Sequence, residues 1–494
     1  MHTRREFVLS GAATATTSLL PAGVSAAITP GVRDDMALLG EILRTLHPGL
    51  YRYQSPQAVE RSLARLSLAW AANPDLAARY LSLSRFLATI KCGHSYANFF
   101  NQTKMVRTQL FDRQTRVPFT FKWIAGQMVV LQDQSGTALL PSGTIILAIN
   151  DIPARDILSR LMPYARADGN NDGKRRALLS VTGADKIESF DVFQGLLEGI
   201  SAVSGAVDTP LPYRLRTRLP GASDDRVFDL PALTLSQRQS FMQTPDYRGD
   251  KPVWQWAMRP DNIAVLRMDN WGLYDSKWDW AAWLNDRLDS LNGAKGLILD
   301  IRQNEGGLDC GDLILARLAG RDIAKPKYNR LVRYVKTPEA LNPYLDTWDD
   351  SFRDWSSQIS SKEGRFYRLK PDSEAGTVAA SSSKLDVPMA VLTSAQNSSA
   401  TFQFAALTQQ LGLGTLVGET TGGNQRGING GSFFFARLPE SGIEFDVPLV
   451  GFFPETKKPD AGITPDIKVA MTAAAIASGA DPQMQAAVRH LLRT

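Results

Sequence analysis

Four apolar runs of strand length, separated by helical segments, occupy residues 256–475 and constrain the fold of this chain more than any other feature. The runs are IAVLRM, GLILDI, MAVLT and GTLVGE. A helical segment near 276–291 separates the first two, and another follows Ser399. Strands that alternate with helices predict an α/β fold with a βαβ core. Residues 320–386 interrupt the alternation with tryptophan, serine and lysine residues, so we interpret them as an insertion that covers the core.

The rest of the chain divides by its hydrophobic patterns. Residues 30–105 repeat apolar side chains at helical spacing and predict an N-terminal helical domain. Residues 106–165 change to segments such as VPFTFKW, MVVLQ and TIILAIN, which predict an α+β domain. Residues 166–255 are polar and rich in Gly and Asp, and we interpret them as a connecting region. The last residues, 476–494, are predicted to form a C-terminal helix.

The first 26 residues have the composition of a cleavable export signal. A pair of arginines, Arg4 and Arg5, precedes a small and apolar run that ends in VSA, which is the order of charge, apolar stretch and small residues that marks such signals. Paired arginines followed by Glu-Phe resemble a twin-arginine signal. No later segment approaches the roughly 20 apolar residues needed to span a bilayer. We therefore predict a periplasmic or secreted protein that starts near Ala27 and has no membrane span.

Composition excludes several classes of partner and cofactor. The net charge is +5 and the basic residues are spread along the chain, whereas nucleic-acid binding needs a concentrated basic face. The few histidines and the two cysteines offer no metal-ligand spacing. No dinucleotide fingerprint or phosphate loop occurs either. We therefore expect no nucleic-acid partner, no metal and no cofactor.

A candidate nucleophile follows the third apolar run. In MAVLTSAQNSSATFQFAALTQQLG, a strand gives way to a small polar turn and then to a helix that begins near Ala400. Ser399 would stand at the helix N-terminus, where unpaired backbone N–H groups can stabilise a developing anion. An acyl-transfer nucleophile needs both an exposed hydroxyl and such donors. The alternative is that Ser398 or Ser399 only caps the helix, as serines commonly do.

The second apolar run ends in a turn with adjacent glycines. GLILDI continues into RQNEGG, which places Gly306 and Gly307 directly after a buried strand. Glycines allow the backbone to approach a ligand closely, and their N–H groups can serve as oxyanion donors together with that of Ala400. A turn with two glycines is also often only a turn. In combination with Ser399, the two glycines therefore indicate an oxyanion site.

Four short motifs occur in order in the rear part of the chain. They are Asp-x-Arg-x-Asn-x-Gly-Gly at 300–307, the strand-to-helix turn at 391–400, Val-Gly-Glu-x-Thr-x-Gly at 417–423 and Gly-Ile-x-Pro-Asp-Ile at 462–467. This order resembles the tail-specific, or C-terminal-processing, serine peptidase family. The resemblance implies a crotonase-like α/β core, hydrolysis of peptide bonds in a peptide or protein substrate, and Ser399 as the nucleophile. The segment PSGTIILAINDIPARDIL similarly resembles the second half of a PDZ domain.

The resemblance also indicates the general base. Many members place a lysine 25 residues after the serine, but that position holds Asn424, and an amide cannot accept the hydroxyl proton. A second branch, which includes the tricorn core and the interphotoreceptor retinoid-binding protein repeats, has Thr-Gly-Gly in that turn and uses a histidine from the N-terminal region. His94 in Cys-Gly-His-Ser is similar to that branch's Asp-Gly-His-Thr. Imidazole titrates near neutral pH, so we predict His94 as the base and keep His47 as the alternative.

The residue that orients this histidine is less well defined. In the same branch a glutamate shortly before Gly-Ile-x-Pro-Asp has this role, but Pro459 occupies the expected place. Asp460 lies one residue away and is the possible third member, and Glu455 lies further off. An ordinary surface carboxylate is the alternative reading of either.

Two other functions fit the same fold. One is a catalytically inactive periplasmic binding protein, which the missing lysine and the displaced acid motivate. The other is an enzyme acting on coenzyme-A thioesters, against which the export signal argues.

The two cysteines give one further hypothesis. Cys92 precedes His94 by two residues, and Cys310 follows Gly307 by three. If both flank one site, a disulfide between them would join the helical front to the core.

Overall fold

The computed structural model describes residues 34–202, 212–242, 245–371 and 376–493. The predicted export signal, residues 1–26, lies outside these ranges. Within them the chain forms 13 α-helices, three sheets of six strands each and a two-stranded sheet. This confirms the mixed α/β class. None of the helices in the described ranges is long and apolar enough to cross a membrane.

The elements are numbered in chain order. The helices are α1 (Asp35–Leu46), α2 (Pro56–Ala72), α3 (Leu76–Thr89), α4 (Lys104–Phe111), α5 (Ala154–Leu161), α6 (Asp172–Leu178), α7 (Ser189–Ala202), α8 (Leu235–Ser240), α9 (Trp280–Asp289), α10 (Gly311–Ala319), α11 (Ser399–Gln410), α12 (Ala473–Ser478) and α13 (Pro482–Leu491). The strands are β1 (Phe119–Ile124), β2 (Gln127–Asp133), β3 (Ile145–Ile149), β4 (Ile152–Pro153), β5 (Tyr213–Arg218), β6 (Asp225–Leu230), β7 (Gln255–Met258), β8 (Ile263–Arg267), β9 (Gly296–Asp300), β10 (Ile323–Ala324), β11 (Tyr328–Val332), β12 (Leu345–Asp346), β13 (Ile359–Glu363), β14 (Phe366–Leu369), β15 (Thr377–Val378), β16 (Met389–Thr393), β17 (Thr415–Gly418), β18 (Asn429–Arg437), β19 (Glu444–Pro454) and β20 (Ile467–Lys468).

The front of the chain is a group of four helices, α1 to α4, each begun by a capping side chain. Asp34, Ser55, Asp75 and Thr103 accept hydrogen bonds from backbone N–H groups of the first turn. These bonds satisfy donors that a helix otherwise leaves free. The turn that follows α3 carries His94.

The first sheet is antiparallel and has the order β1-β2-β3-β5-β6, with β4 paired to β3. Its last two strands, β5 and β6, come from residues 166–255, for which the sequence predicts a connecting region. The division at residue 165 therefore cuts through a single sheet. β5 alternates buried with exposed residues, and the charged side chains on its exposed face made the segment look like a polar linker. Arg238 of α8 is also buried, where it pairs with Asp191.

The second sheet contains the four predicted strands as adjacent parallel neighbours. Its order is β20-β17-β16-β9-β8-β7, and only β7 is antiparallel to its partner. β9 and β16 are buried along their whole length. Helices α9, α10 and α11 pack on one face, and α13 packs on the other. Both motif turns follow the carboxyl ends of these two central strands, which is where ligands bind in such sheets.

The third sheet corrects the interpretation of residues 320–386 as a covering insertion. Its order is β12-β18-β19-β11-β14-β13, in which β14 and β13 extend the sheet beyond β11, while β12 and β11 pair with β18 and β19. Their partners lie about a hundred residues further along the chain, a separation that local patterns cannot reveal. The segment therefore supplies four of the six strands of this sheet.

One apolar core joins the front helices to the first and third sheets. It runs without interruption from Leu38 on α1 through Phe121 on β1 to Val450 on β19. Burial of apolar surface is the main force that holds such layers together. The turn after α3 is attached to this shared core through Ile90 and Cys92.

Candidate active site

Ser399 stands at the junction of β16 and α11 in a backbone conformation that residues other than glycine rarely adopt. β16 ends at Thr393, and α11 begins at Ser399. The φ angle of Ser399 is +52°, in the left-handed region that costs about 1–3 kcal/mol. Strain of this kind clusters at functional sites because the surroundings must impose it. A sharp strand-to-helix turn presents a side-chain hydroxyl outward.

Ser398 occupies the N-cap position of α11, but the alternative prediction that its side chain caps the helix is wrong. Its hydroxyl makes no capping bond but donates to the Glu305 carbonyl oxygen at 3.1 Å. The Ser399 side chain lines a cavity of about 1000 Å³. Among the described residues, none is hydrogen-bonded to the Ser399 hydroxyl, which leaves it free to react.

The two glycines of the RQNEGG turn allow it to pack against this serine. A Cβ on Gly306 would lie 2.8 Å from the Ser398 carbonyl oxygen and 2.9 Å from the Ser399 Cβ. A Cβ on Gly307 would lie 2.2 Å from the Trp271 carbonyl oxygen. Their φ angles are +112° and +140°, which side chains disfavour. Only glycine fits either position.

The backbone N–H groups around Ser399 differ in their availability. The Gly306 N–H donates to Asn304 Oδ1 at 2.9 Å, so it belongs to its own turn. Within the described ranges, the N–H groups of Gly307 and Ala400 have no acceptor. A Cβ on Gly306 would lie 3.0 Å from the Ala400 nitrogen, so the turn and the helix N-terminus meet beside the serine. The two free donors are thus available to an anion.

Asn397 joins three of the four motifs. Its Nδ2 donates to the carbonyl oxygens of Ile301 and Asn304 at 2.6 and 3.0 Å. Its own carbonyl oxygen accepts hydrogen bonds from the N–H groups of Gly422 and Gly423. The side chain is fully buried. It therefore fixes the nucleophile turn relative to its neighbours.

We expect Asn397→Ala to lower the free energy of unfolding by about 3 kcal/mol, because it leaves two buried carbonyls and the Ser394 N–H without their partner. Urea denaturation measures the change as a lower midpoint. Asn73→Ala is the matched control, since Asn73 is exposed and accepts one bond from the Asp75 N–H. It should change the free energy by less than about 1 kcal/mol. Equal losses in the two variants would contradict the role of Asn397.

His94 faces the same cavity as Ser399. Its ring packs on Phe433, with ring centroids 5.8 Å apart. Its Nδ1 is buried and has no hydrogen-bond partner within the described part of the chain. Burial lowers the pKa of His94, which favours the neutral imidazole that can accept a proton.

His47 is held in a structural role. Its Nδ1 accepts the Gly49 N–H at 3.1 Å, which requires Nε2 to carry the proton in the neutral ring. Nε2 lies 2.7 Å from Ser95 Oγ. Burial is the main cause that lowers the pKa of His47 to about 3. A neutral ring with both nitrogens engaged is not available as a base.

Asn424 and Asp460 lie together behind the histidine turn. Asn424 Nδ2 donates to Asp460 Oδ1 at 2.7 Å and to the Asp168 carbonyl oxygen at 3.2 Å. Asp460 also accepts the Asn170 N–H at 3.1 Å and its Nδ2 at 2.6 Å. The contacts of Asp460 therefore lead to the segment 168–170 and to Asn424, which occupies the position of the family's lysine.

A buried ion pair beside the site was not indicated by the sequence. Lys174 Nζ donates to Glu305 Oε1 at 2.6 Å and to the Gln396 carbonyl oxygen at 2.8 Å. Burial alone would raise the pKa of Glu305, but Lys174 and Arg166 lower it to about 2. The pair is formed by residues that are 131 positions apart in the chain, so no motif announces it.

The proposed disulfide is absent. Cys92 and Cys310 are both buried free thiols, and they belong to different apolar cores. Asn429 Nδ2 lies 3.4 Å from Cys92 Sγ, so this thiol packs as a small side chain. Among the described residues, no group of three His, Cys, Asp or Glu side chains could hold a metal ion.

The family comparison concerns the rear of the chain. Residues 262–469 match the model of peptidase family S41. The matched segment is shorter than half of the 494 residues, and it contains the central parallel strands, the Gly-Gly turn and Ser399. Over this segment the chain is similar to the serine peptidases of family S41, in agreement with the tail-specific, or C-terminal-processing, family that its four motifs predicted.

Solved structures extend the likeness over nearly the whole chain. Mature CPAF complexed with lactacystin aligns with a TM-score of 0.60 at 14% identity, over 93% of this chain and 96% of that chain. A structure of mature CPAF aligns with a TM-score of 0.59 at 14% identity, over 92% and 94%. The photosystem II D1 C-terminal processing protease gives 0.39 at 14% identity, over 89% and 94%, which is too low to carry an argument. At these identities the likeness to CPAF shows the fold alone.

A curated relative is similar over a short segment. Lipoxygenase 6, chloroplastic, from Arabidopsis thaliana is 31% identical over 113 residues, which are 20% of this chain and 12% of that protein. The chain spans so little of that protein that the match has no bearing on the site.

Proposed function

We propose that this chain hydrolyses peptide bonds through an acyl-enzyme on Ser399, with His94 as the general base. The observation that carries the proposal is the strained φ of +52° at Ser399, which holds its hydroxyl beside free N–H donors in the cavity that His94 also lines. Strain that is maintained at a strand-to-helix turn is typical of a nucleophile. The substrate is a peptide or protein, because the cavity is large and both family and fold belong to peptidases.

The first chemical step moves one proton and forms one bond. His94 takes the proton of the Ser399 hydroxyl while the oxygen attacks the peptide carbonyl carbon. The imidazolium then gives this proton to the leaving amine as the C–N bond breaks. Water then attacks the acyl carbon while His94 takes its proton. The imidazolium returns a proton to Ser399 Oγ as the ester bond breaks, which releases the acid and restores the hydroxyl. The lowered pKa of His94 keeps the ring neutral before each attack.

The oxyanion that forms during each attack needs donors that are not already engaged. Among the candidates Gly306, Gly307 and Ala400, we assign this role to the N–H groups of Gly307 and Ala400. Gly306 serves the site by its lack of a side chain, since its own N–H donates to Asn304. Donors of this kind contribute several kcal/mol because they are fixed before the charge develops.

Asp460, the possible third member, is proposed to act at a distance. Its carboxylate holds Asn170 and Asn424, and Asn424 in turn holds the carbonyl of Asp168. Asp460 would therefore fix the segment that packs on the histidine turn.

The finer features of the fold are part of the same proposal. The parallel sheet with its helices is a crotonase-like core, and the sheet that includes residues 106–165 with α5 is a PDZ-like unit next to it. Export through the twin-arginine-type signal would place the enzyme in the periplasm or outside the cell.

A fluorophosphonate probe tests the proposal, because it phosphonylates only an activated serine. We expect the folded protein to take up one probe per chain, with the added mass on the peptide that contains Ser399. Prior heat denaturation should abolish the reaction. A folded protein that resists the probe would instead be a binding protein on the same fold.

A further inference from the structure

Three hydrogen bonds to backbone atoms of residues 91–93 join the segment 166–169 to the turn that carries His94. The Gly169 N–H donates to the Lys91 carbonyl oxygen at 2.9 Å. The Gly93 N–H donates to Asp168 Oδ1 at 2.9 Å. Arg166 Nη1 donates to the Gly93 carbonyl oxygen at 2.6 Å. The Asp168 carboxylate is therefore fixed to the residue next to His94.

The closeness of this carboxylate depends on two glycines. A Cβ on Gly93 would lie 2.8 Å from Asp168 Oδ2, so only glycine leaves room for the carboxylate there. Gly169 has a φ of +61°, and a Cβ on it would lie 2.2 Å from both Asn424 Nδ2 and Asp460 Oδ1. The absence of a side chain at Gly93 and at Gly169 therefore leaves the space that the Asp168 carboxylate and its neighbours occupy.

The carboxylate of Asp168 is buried and makes no direct salt bridge within the described ranges, although the charges of Arg52 and Lys174 act on it from further away. Its residue is 4% exposed, and it lines the cavity with His94 and Ser399. None of the salt bridges within the described ranges includes Asp168, whereas Glu305 is paired with Lys174. Oδ2 accepts no hydrogen bond from any described residue. Buried charges are normally paired, so this carboxylate is available to a positive charge that arises in the site.

We infer that Asp168 is the acidic positioning residue of this site, whose negative charge stabilises the His94 imidazolium that forms when Ser399 loses its proton. The inference rests on the proposed function. Asp168, which lies in the chain between the front helices and the parallel core, would then have the role for which Asp460 is the candidate from the sequence. Asp460, through Asn424 and Asn170, holds the segment that carries Asp168.

The charges around His94 are consistent with this role. Burial is the main cause that lowers the pKa of His94, and Asp168 is the strongest influence that raises it. Arg166 on the same segment and Lys174 on α6 oppose protonation, while Glu305 on the Gly-Gly turn favours it. Lys174 and Glu305 are bound to each other, so their opposite effects on the pKa of His94 offset. Among the neighbouring charges, the influence of Asp168 on this pKa is therefore opposed mainly by Arg166.

The test is the variant Asp168→Asn, which keeps an oxygen for the Gly93 N–H and removes the charge. Without that charge the imidazolium is less stable, so the pKa of His94 falls and the acidic midpoint of the kcat/KM profile moves to lower pH. We expect a shift of about one pH unit and a fall in plateau kcat/KM of roughly 100-fold. Asp172→Asn is the matched control, since that carboxylate is exposed and pairs with Arg175; its profile should coincide with the parent's.

The outcomes separate the inference from the proposed function. A loss of activity in Asp168→Asn with an unmoved midpoint would make the residue merely structural and overturn the inference, as would full activity. Ser399 labelling by the fluorophosphonate in the parent protein decides the proposed function independently. Should Asp168→Asn fail to fold, Gly93→Ala displaces the carboxylate without removing it. Its midpoint should move in the same direction, and an unmoved midpoint there would also contradict the inference.

Discussion

Replacing Ser399 by alanine is expected to lower kcat on a fluorescently labelled casein by roughly 10⁶-fold, the loss typical of a serine peptidase without its nucleophile. The reason is that the oxyanion donors and His94 remain, but no hydroxyl forms the acyl-enzyme. The variant should fold as the parent does, because the Ser399 side chain makes no hydrogen bond within the described ranges. Relief of the left-handed φ is not expected, since alanine is no better suited to it.

Ser398→Ala is the matched control for this experiment. It removes the neighbouring hydroxyl, whose one hydrogen bond runs to the Glu305 carbonyl, and we expect kcat within about tenfold of the parent value because a neutral bond contributes about 1 kcal/mol. Undiminished casein cleavage by Ser399→Ala would show that another group is the nucleophile. Two equally large losses would indicate that the turn, rather than the Ser399 hydroxyl, is what matters.

His94→Gln is expected to lower kcat by roughly 10⁴- to 10⁶-fold, because glutamine fills much of the same space but cannot accept the serine proton. The fluorophosphonate reaction should slow by a similar factor, since the probe also needs an activated hydroxyl. Initial rates of casein cleavage and of probe uptake measure the two effects. A thermal unfolding midpoint near that of the parent is expected, since the Nδ1 of His94 already lacks a partner.

Two other histidines provide the comparison. His490 lies in the last turn of α13, and His490→Gln should leave the rates of casein cleavage and probe uptake unchanged. His47→Gln should instead lower stability, because it disturbs the bonds to Gly49 and Ser95, while the folded fraction keeps its activity. Loss of the probe reaction in His47→Gln but not in His94→Gln would reverse the assignment of the base.

The sequence could predict the parts of the site that each depend on a short local pattern. The strands that became β9 and β16 are uninterrupted apolar runs, and the turns after them contain the glycines and the serine. Parallel strands present these turns at one edge of a sheet, so their proximity follows from the fold class. The strained φ of Ser399 could not be predicted, because serine has no preference for that conformation and the surrounding structure imposes it.

What the sequence could not supply are the contacts between distant segments. Asp168 reaches the Gly93 N–H across 75 positions, and Lys174 reaches Glu305 across 131. Single carboxylates and lysines occur throughout the chain, so nothing marks these two in advance. For the same reason, strands such as β5 and β11 were interpreted as linker and insertion. β11 pairs with β19, which lies far along the chain, and the exposed face of β5 is polar.

A crystal structure of the fluorophosphonate adduct would show the nucleophile, the oxyanion donors and His94 around one bound group. We expect the phosphorus bonded to Ser399 Oγ, and a phosphonyl oxygen about 2.7–3.1 Å from the Gly307 and Ala400 nitrogens. We also expect a His94 ring nitrogen within about 3.2 Å of the Ser399 Oγ or the leaving-group position. An adduct on another residue, or a His94 ring that remains beyond hydrogen-bonding reach of the bound probe, would rule out the proposed mechanism.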